Sequence, residues 1–238
     1  EDLPDKIESV LRIDLGAEHR RIYEQYLMRE RAKILSLVDD AKSRIDLLAS
    51  ITRLRQLALD PALVVEDYAS IGSTKVEYLA DQLDEIIPRG HRALVFSQFT
   101  SFLARIRLFL ERRGVRVVQL DGTTRDRDGV IEEFRSGEAP VFLISLKAGG
   151  TGLTLTEADY VYVMDPWWNP AAEEQAVDRA HRIGQKKKVN VYRLVAADTI
   201  EDRVVALQER KRRLVTSVVE EAGQVSGFKP ADIASLLE

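Results

Sequence analysis

The sequence contains no cysteine among its 238 residues and only three histidines. The absence of cysteine excludes a disulfide scaffold and every zinc site built on thiolates. His19, His91 and His181 are too scattered along the chain to indicate a metal cluster. No apolar run approaches the roughly 18 residues that span a membrane, and the first residues have no apolar core typical of a signal peptide. We therefore expect a cytoplasmic protein with no metal site of its own and no membrane contact.

An excess of positive charge is also lacking. The chain has 35 Lys and Arg residues against 39 Asp and Glu residues, for a net charge of -4. Any contact with nucleic acid must therefore come from local clusters of side chains, because no overall positive field exists. Hydrophobic residues make up 45% of the chain, which is enough for a substantial core. Because the chain begins with Glu1 instead of Met, we expect it to be the C-terminal portion of a longer protein.

The hydrophobic periodicity changes once along the chain. Between residues 17 and 60, apolar residues recur every three or four positions, which predicts a helical hairpin that Pro61 ends. After Ser73, short apolar runs alternate with helical patterns. The runs lie at 93–99, 115–120, 141–146, 160–164 and 189–196. Because they are apolar at nearly every position, they predict an α/β fold with a parallel sheet between helix layers and ligands at the carboxyl ends of the strands. Thr199 is expected to cap a last helix that Gly223 ends.

The segment SLKAGGTGLTL at 145–155 follows one of these runs and is rich in glycine. Its glycines allow main-chain N–H groups to approach a phosphate closely. Additional donors would be Ser145, Lys147 and Thr151. The phosphate-binding pattern GxxxxGK[ST] and the dinucleotide pattern GxGxxG are missing from the chain. Taken alone, the segment is equally well interpreted as a tight turn from a strand into a helix.

Two adjacent tryptophans stand between two prolines in MDPWWNP at 164–170. Rings on a loop stiffened in this way can stack on or wedge against a nucleic acid. A tryptophan packs more commonly into a core or an interface, so we expect at least one of the two rings to be buried.

The segment EEQAVDRAHRIGQ at 173–185 is predicted to be a helix that starts after Pro170 and runs to about Gly184. Arg179 and Arg182 are three residues apart and would then project from one face. Two guanidinium groups side by side repel each other and are well suited to bind phosphate oxygens. For an isolated pair with this spacing, a solvated charged face is the commoner interpretation.

Five segments together resemble motifs IV, IVa, V, the extension of V, and VI of the Swi/Snf-type chromatin-remodelling ATPases, in the expected order. They are FSQF at 96–99, LDGTT at 120–124, SLKAGGTGLTL, DPWWNP at 165–170 and QAVDRAHRIGQ at 175–185. The resemblance covers essentially the whole chain and is strongest to bacterial and archaeal members. One departure is the short RDRDGV at 125–130, which has Gly129 where an arginine is common, so Arg127 is given no role.

The resemblance implies a RecA-like lobe of the P-loop NTPase type with an N-terminal helical protrusion. The implied domains are an N-terminal segment and protrusion at 1–72, the second helicase lobe at 73–198 and a helical extension at 199–238. In this family, ATP and Mg²⁺ are held mainly by a first lobe, whose Walker A and DExH motifs are absent from this sequence. By motif, Arg179 and Arg182 would contact the γ-phosphate as arginine fingers. Residues implied in ATP binding and coupling are Gln175, Gly150, Thr151 and Gly152.

The resemblance also implies contacts with the backbone of double-stranded DNA. The residues concerned are Ser97, Gln98, Thr123, Thr124, Ser145, Lys147 and, near a groove, Trp168. The chain would be the C-terminal half of an ATP-dependent DNA translocase, inactive alone, with DNA, the missing lobe and a protein target on DNA as partners. In a prokaryote it would work at the nucleoid. A non-catalytic DNA- or protein-binding module remains an alternative, and a sugar- or dinucleotide-binding domain is a remote one.

Overall fold

The structure is a computed structural model that describes residues 3–37, 44–146 and 153–218. The strands are β1 Lys6–Ile13, β2 Ala93–Ser97, β3 Val117–Leu120, β4 Val141–Ser145, β5 Tyr160–Val163 and β6 Val189–Ala196. The helices are α1 Ala17–Leu37, α2 Arg44–Leu59, α3 Thr74–Ile86, α4 Thr100–Arg112, α5 Arg127–Ser136, α6 Pro170–Val177 and α7 Ile200–Val218. Short 3₁₀ helices lie at Pro61–Leu63, Glu66–Ser70 and Ile87–Arg89.

One compact unit is built on a six-stranded sheet. The unit comprises residues 1–13, 74–166 and 171–195, and its strands lie in the order β1-β6-β5-β2-β4-β3. The pairs β2–β4, β3–β4, β2–β5 and β5–β6 are parallel. The α/β fold with a RecA-like parallel sheet, predicted from the sequence, is thereby confirmed. Because Ser97 pairs with Ser145 and Phe96 pairs with Val163, the carboxyl ends of β2, β4 and β5 meet at one edge.

The burial of each strand explains whether the sequence pattern predicted it. Every residue of β2 and β4 is buried, as their continuous apolar sequences predict. In β1, by contrast, Ile7 and Val10 are exposed and charged residues are interspersed, because this strand lies at the edge of the sheet beside β6. Its position is fixed by pairing, for example by the hydrogen bond from Val189 N to Asp5 O at 3.0 Å. The sequence pattern did not predict β1 as a strand.

A second compact unit comprises residues 14–73, 167–170 and 196–238. The predicted hairpin is present as α1 and α2, whose buried side chains form one core with those of α7. Tyr23 accepts a hydrogen bond from Ile200 N at 2.7 Å, where α7 begins. Thr199 caps α7 as predicted, since its hydroxyl oxygen accepts from Glu201 N at 3.1 Å. Gly223, the predicted end of this helix, lies outside the described residues.

Candidate functional site

The arginine pair lies beyond the end of a helix. The helix α6 ends at Val177, so the predicted helix through Gly184 is wrong, and so is the inference that Arg179 and Arg182 share one helical face. The chain leaves α6 through turn-like bonds from Arg179 N to Ala176 O and from Ala180 N to Val177 O. Gly184 adopts a φ of 104°, a left-handed conformation that favours glycine and does not continue a helix.

The two arginines nevertheless lie close together, held by the segment 153–155. Leu155 N donates to Arg179 O at 2.9 Å, and Arg182 Nη1 lies 3.4 Å from the hydroxyl oxygen of Thr154. Burial lowers the pKa of Arg179, and the positive charge of Arg182 lowers it further. Arg182 itself is exposed. The arrangement therefore combines a half-buried guanidinium with a solvent-facing one, and the two charges repel each other.

The helix α6 is fixed to the sheet by ion pairs at its start. Arg193, on β6, donates to Glu173, whose carboxylate is 1% exposed. The same guanidinium donates to Glu8 on β1 and, at 3.1 Å, to Glu174. The pKa of Arg193 is raised: burial alone would lower it, but the hydrogen bond and charge of Glu173 outweigh that effect, with Glu8 contributing as well.

Gln175 lies on α6 and is exposed. Within the described part of the chain its side chain makes no recorded hydrogen bond. Its predicted role in nucleotide coupling stays a prediction.

Five of the predicted DNA-binding residues lie at or just after the carboxyl ends of strands: Ser97, Gln98, Thr123, Thr124 and Ser145. Ser97 and Ser145, at the ends of β2 and β4, are 0% and 1% exposed. The Ser97 hydroxyl oxygen accepts a hydrogen bond from Phe99 N at 3.1 Å, which shapes the turn into α4. Neither side chain is exposed to solvent, so the predicted phosphate contacts of Ser97 and Ser145 stay predictions.

Gln98 joins two neighbouring loops at this edge. Its main-chain N and its amide Nε2 donate to the two carboxylate oxygens of Asp165, at 3.2 and 3.1 Å, and Nε2 also donates to Pro166 O at 3.2 Å. Asp165 is buried and follows β5. The Gln98 amide is therefore committed to holding the loops after β2 and β5 together, while the residue keeps some exposure to solvent.

Thr123 and Thr124 lie in a turn organised by Asp121. Asp121 Oδ1 accepts from Thr123 N at 2.8 Å and from the Thr123 hydroxyl at 2.6 Å. The Thr124 hydroxyl oxygen accepts from Asp121 N at 2.9 Å. Burial raises the pKa of Asp121, but hydrogen bonds from Thr123, Gln119 and Thr124 outweigh it and leave the pKa lowered. The Asp-Gly-Thr-Thr sequence is typical of such a turn, although sequence analysis assigned only its threonines.

The remaining predicted residues divide into two groups. Lys147, Gly150, Thr151 and Gly152 lie outside the described residues. Trp167 is 5% exposed, as expected for one buried ring, and its carbonyl oxygen accepts from Gln208 Nε2. Trp168 is partly buried against the core of its own unit, and the Arg55 guanidinium lies 4.9 Å from the centre of its ring. The structure therefore places Trp168 in a packed, cation-stacked position.

Two further residues lie at these sites, and no sequence pattern assigned a role to either of them. Arg125 is exposed and directly follows the Asp121 turn, after the carboxyl end of β3. Gln185 is buried beside residues 178–184, the arginine segment that carries Arg179 and Arg182, and its amide donates to Ala158 O and Ala180 O. Among the described residues no group of three His, Asp or Glu side chains could hold a metal ion, and no helix is both long and apolar enough to cross a membrane.

The chain is similar in sequence to a helicase domain family and to known proteins. The helicase conserved C-terminal domain family matches residues 74–184. An ATP-dependent helicase of Mycoplasma pneumoniae, itself uncharacterized, is 36% identical over 244 residues, covering 100% of this chain and 23% of its own length. The protein CHROMATIN REMODELING 24 of Arabidopsis thaliana is 42% identical over 167 residues, covering 69% of this chain and 15% of its own. The chain thus spans less than a quarter of either relative.

A solved structure shares the fold. The SWI2/SNF2 ATPase core of Sulfolobus solfataricus, determined in complex with double-stranded DNA, superposes with a TM-score of 0.74 at 28% identity. The match covers 93% of this chain and 47% of that one.

Proposed function

Since this chain is a helicase C-terminal domain of the Swi/Snf type, we propose that it works as the second RecA-like lobe of an ATP-dependent double-stranded DNA translocase. In this proposal ATP is hydrolysed between this lobe and an N-terminal lobe that supplies the Walker A and DExH motifs. A protein target on the DNA, and a place at the nucleoid of a prokaryotic cell, belong to the same proposal.

The observation that carries the proposal is the close approach of Arg179 and Arg182. Two neighbouring positive charges, one of them half-buried, are stabilised when an anion lies between them. The planar guanidinium offers several donors to phosphate oxygens at once. Arginine fingers that neutralise charge developing on a transferred phosphoryl group contribute about 10³- to 10⁵-fold in rate. We assign this role to Arg182, which is exposed, with the half-buried Arg179 beside it.

The described residues fit a phosphate better than a metal ion. The arginine pair supplies positive donors, and the described part of the chain has no cluster of carboxylates or imidazoles to hold Mg²⁺. From the family resemblance we propose that Mg²⁺ and most contacts with ATP belong to the N-terminal lobe. Bound Mg²⁺ would neutralise charge on the phosphate oxygens there. Gln175 and the glycine-rich residues Gly150, Thr151 and Gly152 are proposed to couple the nucleotide to the DNA.

The carboxyl edge of the sheet is proposed to contact the DNA backbone. Both threonine hydroxyls of the Asp121 turn already donate their protons, from Thr123 to Asp121 and, at 3.4 Å, from Thr124 to Gln119 O. Their part is therefore to shape the turn, and the exposed guanidinium of Arg125 beside them supplies positive charge. Because phosphate contacts carry no base information, binding should be independent of sequence and strongly dependent on salt.

The test joins this chain to the N-terminal lobe of a relative and measures ATP hydrolysis with and without duplex DNA. We expect hydrolysis stimulated by duplex DNA from the joined protein and none from this chain alone. Hydrolysis of ATP by this chain alone would contradict the proposal that it supplies only one side of the ATPase site. Binding of DNA by the joined protein without any hydrolysis would instead support a non-catalytic binding module.

A further inference from the structure

Gln185 is a buried side chain whose amide uses its full hydrogen-bonding capacity. It is 7% exposed. Its Nε2 donates to Ala158 O at 2.8 Å and to Ala180 O at 2.9 Å. Its Oε1 accepts from Lys186 N at 2.9 Å and from Lys187 N at 2.8 Å. One amide therefore joins the segment before β5, the turn between the two arginines and the chain that leads into β6.

The arginine segment needs such a support because it is not a regular helix. After α6 ends at Val177, no run of helical hydrogen bonds fixes the positions of Arg179 and Arg182. The segment is held instead by separate bonds: Leu155 N to Arg179 O at 2.9 Å, Gln185 N to Arg182 O at 2.9 Å, and His181 Nε2 within 2.7 Å of Pro4 O. The Gln185 amide adds a bond to Ala180 O, a carbonyl that lies between the two arginines.

The chemistry of this support is specific to a glutamine. Only an amide offers two donors and an acceptor of two hydrogen bonds at this side-chain length. A glutamate would accept from Lys186 N and Lys187 N but would face the carbonyls of Ala158 and Ala180 with no proton to donate. A methionine fills a similar volume but makes none of the four bonds.

We propose that Gln185 is a positioning residue for the arginine pair, holding the turn at Ala180 so that Arg182 meets the γ-phosphate. This inference rests on the proposed function of the pair. Small displacements of a catalytic group, arising from a change outside the reacting atoms, can reduce a rate by about 100-fold. The effect belongs to the chemical step, so it should lower kcat more than it changes KM for ATP.

The first experiment measures duplex-stimulated ATP hydrolysis by the joined protein carrying Gln185→Met. We expect kcat to fall by about 10- to 100-fold while KM for ATP changes by less than about threefold. The matched control is Gln208→Met, which removes another buried glutamine, one that donates to Trp167 O in the other unit. It should leave kcat within about twofold of the parent protein. If Gln185→Met leaves kcat unchanged while Arg182→Ala is inactive, the positioning role of Gln185 is wrong and the proposed role of Arg182 stands.

The second experiment separates positioning from a general loss of structure. If Gln185 acts through Arg182, then adding Gln185→Met to Arg182→Ala should lower kcat by less than about twofold more, because residues acting as one unit are not additive. A full further loss in the double variant would overturn the proposal. If Gln185→Met fails to fold, Gln185→Asn decides, since it keeps the amide but is too short to reach Ala158 and Ala180 together. If Arg182→Ala alone leaves kcat unchanged, the proposed function fails, and this inference fails with it.

Discussion

The ammonium nitrogen of Lys75 lies 2.6 Å from the main-chain oxygen of Met164. It also donates to Leu194 O at 2.9 Å, and the residue is 1% exposed. Lys75 comes from α3, whereas the two carbonyl groups follow β5 and lie within β6. One buried ammonium group therefore joins α3 to the residue after β5 and to the second half of β6.

Replacing this lysine should weaken the sheet unit. Lys75→Met leaves the carbonyl groups of Met164 and Leu194 without this donor, and we expect the free energy of unfolding to fall by about 2 to 4 kcal/mol. Urea denaturation measures the change. Glu77→Gln alters an exposed residue on the same helix and should shift the free energy by less than about 0.5 kcal/mol. Equal effects from the two variants would show that the Lys75 bonds are not stabilising.

The Asp121 turn predicts a dependence of stability on acid pH. The pKa of Asp121 is lower in the folded state than its ordinary value, so the ionised carboxylate stabilises the fold above that ordinary value. This stabilisation is lost as the pH falls through the folded-state pKa. Asp121→Asn should therefore be less stable than the parent at about pH 7, with the difference shrinking toward about pH 3. Urea denaturation of both proteins across this range tests the turn, and a difference that stays constant with pH would contradict it.

The proposed contact between Arg125 and the DNA backbone can be tested by its effect on duplex binding. If its guanidinium contacts a phosphate, Arg125→Ala should weaken duplex binding on all sequences and reduce the slope of log affinity against log salt by about 0.9. The matched control is Arg112→Ala. It removes the same charge at the end of α4, on the side of the sheet opposite the carboxyl ends of the strands. Fluorescence anisotropy over a salt series measures both slopes. Equal slopes for the two variants would place the DNA elsewhere.

The fold was largely predictable from the sequence because buried parallel strands leave a clear pattern. The five runs from 93–99 to 189–196 each contain a strand, since strands covered on both faces, such as β2 and β4, are apolar at nearly every position. The edge strand β1 escaped prediction because one side of it faces solvent and tolerates residues such as Glu8 and Arg12. Its place depends on its partner β6, which lies far along the chain.

The roles of the site residues stay predictions, but the geometry of the arginine pair shows what the sequence pattern could not predict. The spacing of Arg179 and Arg182 predicted one helical face, yet α6 stops at Val177 and side-chain bonds take over beyond it. Those bonds link positions distant in sequence, such as Gln185 with Ala158, and periodicity contains no information about them. The bond from the Thr123 hydroxyl to Asp121, by contrast, is local, and the Asp-Gly-Thr-Thr sequence is typical of the turn that it closes.

The most direct test of the account replaces Arg182 in the joined protein and measures ATP hydrolysis stimulated by duplex DNA. We expect Arg182→Ala to lower kcat by about 10³-fold or more, because the charge developing on the γ-phosphate loses its neutralising guanidinium. Duplex affinity without nucleotide should stay within about twofold, and Arg112→Ala should hydrolyse ATP at the parent rate. A kcat for Arg182→Ala equal to that of the parent protein would contradict the assignment of the arginine pair.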